Sequence, residues 1–417
     1  MSRWREVTIA ELCRRTTSGG TPSRKRSDFF CAPPSGVPWV KSQELVDRRI
    51  SSVSEHITDA GLRASSAKLL PANTILVAMY GATVGQLGYL DIEAAVNQAI
   101  CALITDPGVT DPRFLYYAIM NARVELVAHA HGAAQQNLSQ ERIRNFKLWI
   151  PEIDDQRQIA GVLTSIDDLI ENNRRRISLL EQMAQAIYRE WFVVFRYPGH
   201  EGAAVLDSSI GPIPKGWGTA RLETVAAVNR FSRRPQAGEK VRYLDISCLG
   251  DRSIGALAEI DGASAPGRAR RVVTAGDVAW SMVRPNRRAH ALLLDPGSDW
   301  IASTGLAILT PTGLSSSLLF EMVSARQFSD YLISKETGAA YPAVKPADFA
   351  AALFLIPPPE IDRLFEQAVG PHHRMIWNLR QQSDALEAIR DELLPRLVTG
   401  QIDVSKLDLD NVMEPAA

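Results

Sequence analysis

Two kinds of hydrophobic pattern alternate along this chain. Short apolar runs, bounded by Gly, Pro and Asn and carrying Ile, Val and Trp, recur through residues 1–151 and again through 198–357. Residues 74–79 and 277–282 are examples, and they predict the strands of two mixed α/β lobes. Residues 152–197 contain no proline and read differently. Ile159, Leu163, Ile166, Ile170, Ile177, Leu180, Ala184, Ile187 and Trp191 follow alternating steps of four and three, with Asn173 at the one skipped site. That period predicts one long helix bearing a coiled-coil seam, and a seam asks for a second helix.

The second helix is written near the end of the chain. Residues 132–151, GAAQQNLSQERIRNFKLWIP, align without a gap on 338–357, GAAYPAVKPADFAAALFLIP, 206 positions later, with five of twenty positions identical. The offset holds through the following helix, where Ile170, Asn172, Arg174, Leu180 and Glu181 map onto Ile376, Asn378, Arg380, Leu386 and Glu387. The corresponding seam sites are Phe365, Val369, His372, Ile376, Leu379, Ser383, Leu386, Arg390, Leu393 and Leu397. Gly370-Pro371 is expected to break or kink this helix. The arm then left from residue 372 to 394 would span about 35 Å, close to one turn of B-DNA. Two matched seams favour mutual packing in an antiparallel coiled coil over packing of each helix on its own lobe.

The organisation expected is therefore a mixed α/β chain in a pseudo-twofold repeat: lobes at 1–151 and 198–357, helical spacers at 152–197 and 358–417. A length of 417 residues suits two cores better than one. No run approaches the roughly 18 apolar residues of a membrane span, and the start carries no signal-peptide pattern, so a cytoplasmic location with no membrane partner is expected. The four cysteines, Cys13, Cys31, Cys101 and Cys248, have no zinc or disulfide spacing and read as apolar fillers.

Net charge is −1, which hides its distribution. The two lobes carry +4 and +2, the spacers −2 and −5, so the basic excess lies where a nucleic acid would be read.

Enzymatic constellations are missing. No GxxxxGK phosphate loop or post-strand GxGxxG occurs, and there is no Asn-Pro-Pro-Tyr-like tetrapeptide to hold a target amine. His129-Ala130-His131 and His372-His373 read as loop or helix faces rather than metal ligands. Asp167-Asp168 reads as a solvated helix face, and the Gly132 and Gly338 GAA tripeptides as tight turns.

Nucleic-acid chemistry is better supplied. Residues 16–26, TTSGGTPSRKR, combine hydroxyls, glycines and three cations, with Ser18, Gly20, Thr21, Arg24 and Lys25 as phosphate-positioning candidates. Gln135, Gln136 and Asn137 bear amides that pair bidentately with adenine N6 and N7, and Tyr341-Pro342-Ala343 stands at their place in the second copy. Arg233, Arg234, Arg284 and Arg287 supply guanidiniums suited to guanine or phosphate. Lys41, Tyr80 and Gln98 in the first lobe, and Asn286, Thr304, Tyr341 and Lys345 in the second, complete the DNA-contacting set.

In its phrases and their order the chain resembles the specificity subunit of type I restriction-modification systems. SGGTPSR, GVPWVKSQEL, SSAKLLPANTILVAMYGATVGQLG and IPEIDDQRQIAGVLTSIDDLI stand in the first half, KGWGTARLETVA, GDVAWSMVRPNR and ELLPRLVTGQIDV in the second. The resemblance implies two target recognition domains that read a bipartite double-stranded DNA site, held apart by helices acting as a ruler. It implies a non-catalytic subunit that binds no cofactor itself. Two modification subunits would bring S-adenosylmethionine and methylate adenine; restriction/translocase subunits would bring ATP and magnesium.

Gln156, Ile159, Leu163, Ile166, Ile170, Ile177, Leu180, Ile187, Ile376, Leu379, Leu386 and Leu393 are the expected coiled-coil or partner-binding positions. The second half departs from the family at Asp362, where Gln156 stands in the first, and at Ser383 and Arg390 in the seam. A single-chain methyltransferase and a coiled-coil protein scaffold remain the competing readings.

Overall fold

The computed structural model describes residues 4–128, 137–202, 204–208, 211–338 and 341–404. It divides into two compact units, Met1–Asn172 with Ser383–Ala417, and Asn173–Gln382. Each unit is one lobe together with part of each long helix.

In the first unit the strands Cys13–Ser18, Ile100–Thr105, Ile75–Ala78, Leu87–Leu90 and Arg48–Ile50 form one sheet in that order. A second sheet runs Phe30–Cys31, His56–Ile57, Val37–Val40, Ala94–Val96 and Leu69–Leu70. Ile75–Ala78, Leu87–Leu90 and Ile100–Thr105 are buried at every position, which explains continuous apolar runs where a half-exposed sheet would alternate.

The second unit repeats the plan with four strands in each sheet: Ala226–Val228, Leu306–Pro311, Asp277–Ser281 and His290–Leu293, then Ala258–Asp261, Lys240–Leu244, Trp300–Ser303 and Ala269–Val272. Both lobes place a parallel pair in the second sheet, Val37–Val40 beside Ala94–Val96 and Lys240–Leu244 beside Trp300–Ser303. The 206 offset carries Ile100–Thr105 onto Leu306–Pro311 and Lys147–Ile150 onto Leu353–Ile356, strand for strand.

The long helices are Ile153–Tyr188 and Pro359–Val398. Ile159, Ala160 and Leu163 from the first, with Leu394, Leu397 and Val398 from the second, enter the main core of the first unit. In the second unit Ala184 shares a core with Ile361, Phe365 and Val369, and Phe365 packs edge-on to Phe192 at 5.0 Å. Burial of one such side chain contributes about 1.5–3 kcal/mol.

Ile170, Asn173, Ile376, Leu379 and Ser383 are buried, and Ile166, Ile177, Leu180, Ile187, Leu386 and Leu393 half-buried. Within each unit the helices pair antiparallel: in the second, Glu181 meets Arg380 at 2.7 Å while Tyr188 and Phe192 lie on Phe365.

A polar latch fixes each helix start. The fully buried Gln156 amide oxygen accepts from the Thr110 hydroxyl (2.7 Å) and the Asp111 N–H (3.1 Å), just before the helix Pro112–Asn121. Its nitrogen donates to the Pro151 carbonyl at 3.0 Å. Asp362, 206 positions on, accepts from the N–H of Ser315 (2.8 Å), the residue capping Ser316–Ser324. The departure from Gln to Asp changes the chemistry of the latch and keeps its place.

Four expectations are corrected. The second helix runs without interruption through Gly370-Pro371, so no separate arm begins at His372. The lost hydrogen bond and ring clash cost about 3 kcal/mol, which the buried Phe365, Val369 and Ile376 on either side offset. Regular helix in the first copy ends at Tyr188 and widens into one turn over Arg189–Val193, so it stops short of residue 197.

His373, not His372, turns inward: it is buried, with Nδ1 3.1 Å from the Ser317 hydroxyl and Nε2 2.9 Å from Glu321, which also takes a bidentate bond from Arg252. Burial works to raise the Glu321 carboxyl, and His373 and Arg252 overcome it to hold the group below the usual range.

Asp167 is likewise no solvated face. It accepts from the Tyr117 hydroxyl at 2.6 Å and from Arg390 Nη1 at 2.9 Å, and Asp168 beside it pairs with Arg49 on the surface. This explains the cation in a seam: burial alone would lower Arg390, but Asp167 and Asp391 keep it firmly charged. Asp167→Ala strands two mostly buried donors and is expected to destabilise the chain by about 2–3 kcal/mol in a denaturant titration. Asp168→Ala removes only an exposed pair and is expected to cost under about 1 kcal/mol.

Candidate nucleic-acid interface

The repeated GAA-to-IP segment docks at the same point in both lobes. The Leu138 N–H donates to the Met79 carbonyl at 2.7 Å, and the Val344 N–H to the Met282 carbonyl at 2.9 Å. Isolated bridges join Tyr80 to Asn137 and Val283 to Ala343. Met79 N–H in turn donates to Ala99 (2.8 Å), and Met282 N–H to Gly305 (3.0 Å). A strand end, a turn and two loops therefore meet at one rim in each lobe, joined by the same main-chain bonds. Gln135 and Gln136 lie outside the described residues, as do His129, His131 and Gly132.

On the first rim Asn137 and Gln98 are exposed and Tyr80 half-buried. The Thr21 hydroxyl donates to the Gln98 amide oxygen. Ser18 ends a strand, half-buried opposite Cys101. Gly20 is buried, its N–H on Val96 (3.0 Å) and its carbonyl under the Trp39 indole N–H (3.1 Å). A Cβ at Gly20 would stand 2.1 Å from Ser66 Oγ, so close packing explains this glycine.

The three cations of residues 24–26 are not equivalent. Arg24 makes a bidentate pair with Glu55 and lies 4.3 Å over the Phe30 ring; Lys41 reaches Glu55 at 3.1 Å; Arg26 holds Asp28 at 2.7 Å. Arg24 above all, with help from Lys41, holds the Glu55 carboxyl below the usual range against the opposing effect of burial. Lys25 is exposed.

On the second rim the left-handed residues Arg284 (φ 51°) and Arg288 (φ 54°) bracket the turn Pro285–Arg287. Such backbone costs on the order of 1–3 kcal/mol per residue. The Arg284 N–H donates to the Pro342 carbonyl (2.8 Å), and its guanidinium lies 5.6 Å over the ring of Tyr341, itself 73% exposed. Asn286 and Arg287 are exposed at the tip. Arg288 turns inward to Asp251 (3.3 Å) and the Ser324 carbonyl (2.8 Å).

Thr304, at the place of Gln98, is half-buried with its N–H on the Arg268 carbonyl (2.7 Å). Arg233 is neutralised by Glu239 (2.7 Å), Arg234 is exposed, and Lys345 caps the short helix Pro346–Ala350 through its N–H to Asp348 (2.7 Å). Gly338 takes φ 95°, as a tight turn requires.

His290 also holds this turn in place, and the sequence alone did not single it out. Its ring stacks on Trp280 at 5.5 Å, Nδ1 lies 2.6 Å from the Arg288 carbonyl, and Nε2 lies 2.8 Å from the Ser324 hydroxyl. The carbonyl contact requires a proton on Nδ1, which leaves Nε2 to accept.

Among the described residues no group of three or more His, Cys, Asp or Glu could hold a metal ion, and no helix is long and apolar enough to cross a membrane.

Comparison with known proteins agrees with this architecture. Residues 1–182 match the family model "Type I restriction modification DNA specificity domain". The chain is 24% identical over 400 residues to the type I restriction enzyme MjaIX specificity subunit of Methanocaldococcus jannaschii, covering 93% of this chain and 91% of that one. The EcoR124I/EcoR124II specificity subunit of Escherichia coli is 24% identical over 191 residues, 44% of this chain and 46% of its own. The crystal structure of the S subunit from M. genitalium shares the fold, with a TM-score of 0.61 at 15% identity over 95% of this chain and 96% of that one.

The family match covers the first lobe and most of the first long helix. Over nearly its whole length the chain is similar to a specificity subunit of a type I restriction enzyme.

Burial pushes His290 down from 6.5 to about 4, opposed by its bond to the Arg288 carbonyl and by the Asp251 charge and aided by the Arg252 and Arg288 guanidiniums. The sign follows: below pH 6.5 the unfolded chain takes up a proton that the fold refuses until about pH 4. Stability is then full above that window and is lost as pH falls through it, by up to about 1.4 kcal/mol per pH unit. Equilibrium unfolding at several pH values is expected to show this slope, and His290→Gln to flatten it.

Proposed function

We propose that this chain supplies the sequence specificity of a type I restriction-modification complex by reading a bipartite double-stranded DNA site, one half with each lobe. One observation carries this reading: both lobes build the same backbone junction, Leu138 on Met79 and Val344 on Met282, and present different side chains from it. Asn137 and Gln98 offer amides on one rim, Arg284, Asn286 and Arg287 guanidiniums and an amide on the other. Amides suit adenine and guanidiniums guanine.

Residues 1–151 and 198–357 act as the target recognition domains, and residues 152–197 and 358–417 as helical spacers that fix the gap between half-sites. Two modification subunits bring S-adenosylmethionine, and restriction/translocase subunits bring ATP and magnesium, in the cytoplasm. Gln156 spends its amide within its own lobe, which leaves the exposed helix faces to engage partners.

The test is enrichment from a random double-stranded DNA library by the full chain with its modification subunits. Two short base sets separated by a fixed gap are expected, and enrichment of nothing would favour a protein scaffold. The chain alone with S-adenosylmethionine is expected to methylate no DNA, and robust activity would sink the reading. Inserting one heptad after Ile170, with a matching heptad in the second helix, is expected to change the gap and leave both base sets intact. Asn137→Ala is expected to alter base preference only in the half-site read by the first lobe.

A further inference from the structure

The turn at the rim is one structure filled in two ways. In the first lobe its left-handed positions are Gly81 (φ 85°) and Gly85 (φ 78°); in the second, 203 positions on, they are Arg284 and Arg288. Glycine takes this backbone without strain, arginine does not. Arg288 has an internal reason to be there, since it ties the turn to Asp251 and Ser324. Arg284 has none: among the described residues it faces no carboxylate, and its guanidinium rests on an exposed tyrosine.

Its backbone is nonetheless pinned to Pro342, and the segment carrying Tyr341 is closed by reciprocal bonds between Thr337 and Ala343, 3.0 and 3.1 Å. A strained position holding an unpaired, ring-supported guanidinium at a surface is built to meet something outside the chain.

We infer that Arg284 reads a guanine in the half-site of the second lobe, with Tyr341 as the positioning residue that keeps its guanidinium plane fixed. The inference rests on the two-lobe DNA reading above and adds the base and the side chain. A planar fork of donors matches guanine O6 and N7 in the major groove, and stacking on a ring fixes its plane before DNA arrives. Arg287, exposed on the same turn and among the described residues with no ring beneath it, serves as a phosphate contact that strengthens binding to every sequence alike. The first lobe has no side chain at the matching place, so its rim reads through amides instead.

The experiment uses the full chain with its modification subunits and a random-sequence DNA library, comparing the parent with Arg284→Gly, Arg287→Ala, Tyr341→Ala and Tyr341→Phe. Glycine relieves the strain, so Arg284→Gly is expected to unfold at no lower temperature than the parent. It is expected to lose preference for one G·C pair by about tenfold or more, with the rest of that half-site and all of the other retained. Tyr341→Ala is expected to blunt discrimination at that same pair and Tyr341→Phe to restore it. Arg287→Ala is expected to weaken all sequences equally and flatten the salt dependence.

Arg284→Gly that keeps the guanine preference, or that weakens every sequence uniformly, would overturn the assignment. A parent complex that enriches no split sequence would overturn the two-lobe reading itself, whereas a split sequence indifferent to Arg284 overturns only this inference.

Discussion

Neither lobe closes its core without the long helices, and this dependence organises the molecule. Ile159, Leu163 and Leu397 are among the most deeply buried residues of the first unit, and Phe365 and Val369 fill the same role in the second. Removing a helix segment would open an apolar cavity in the lobe it covers, at the cost that large core truncations carry. Burial gives the strength of this union but not its register, because apolar contact is non-directional. Register comes from the polar latch, where Gln156 and Asp362 each bond the residue capping a lobe helix. A helix so placed carries the orientation of its lobe in its own rotation.

The same division between apolar strength and polar direction recurs where the helices meet. Asp167 binds Tyr117 of its lobe and Arg390 of the other helix through separate oxygens, so one carboxylate ties three elements. In the second unit Glu321 holds both Arg252 and His373, again joining lobe to helix. Buried ion pairs of this sort add little net stability over an apolar filling. Their value lies in penalising any arrangement that separates the partners, since each would then leave a charge without its counter-ion.

Much of this was legible in the chain. The 206 offset aligned the segment that forms the strands Lys147–Ile150 and Leu353–Ile356, and the four-three period placed Ile159, Leu163, Ile170 and Ile376 on the buried face. What escaped was decided by tertiary context. Local rules penalise Gly370-Pro371 correctly, but they do not see that Phe365 and His373 anchor the helix on both sides. Adjacent histidines look alike in sequence; only the presence of Ser317 and Glu321 beside one of them decides which turns inward. Residues 24–26 read as three cations although Asp28 stands two positions from Arg26, and Glu55, which neutralises Arg24, reaches it only through the fold. At the rims, sequence supplied the polar residues, while the shared backbone junction that gathers them emerged from the pairing of Met79 with Leu138 and Met282 with Val344.

That junction also explains how two lobes can differ in what they present without differing in how they fold. The bonds from Leu138 to Met79 and from Val344 to Met282 use main-chain groups, so they survive any exchange of the exposed side chains beside them. Gln, Asn, Tyr or Arg can occupy the rim at little cost to the core, because the apolar residues that specify the docking, Leu138 and Val344, are themselves buried. The exception proves informative: an arginine in left-handed backbone does cost stability, and the fold tolerates it at Arg284 because Pro342 on one side and the His290-supported Arg288 on the other leave the turn no alternative shape. Rigidity bought elsewhere in the lobe is what lets a strained side chain be held ready at its edge.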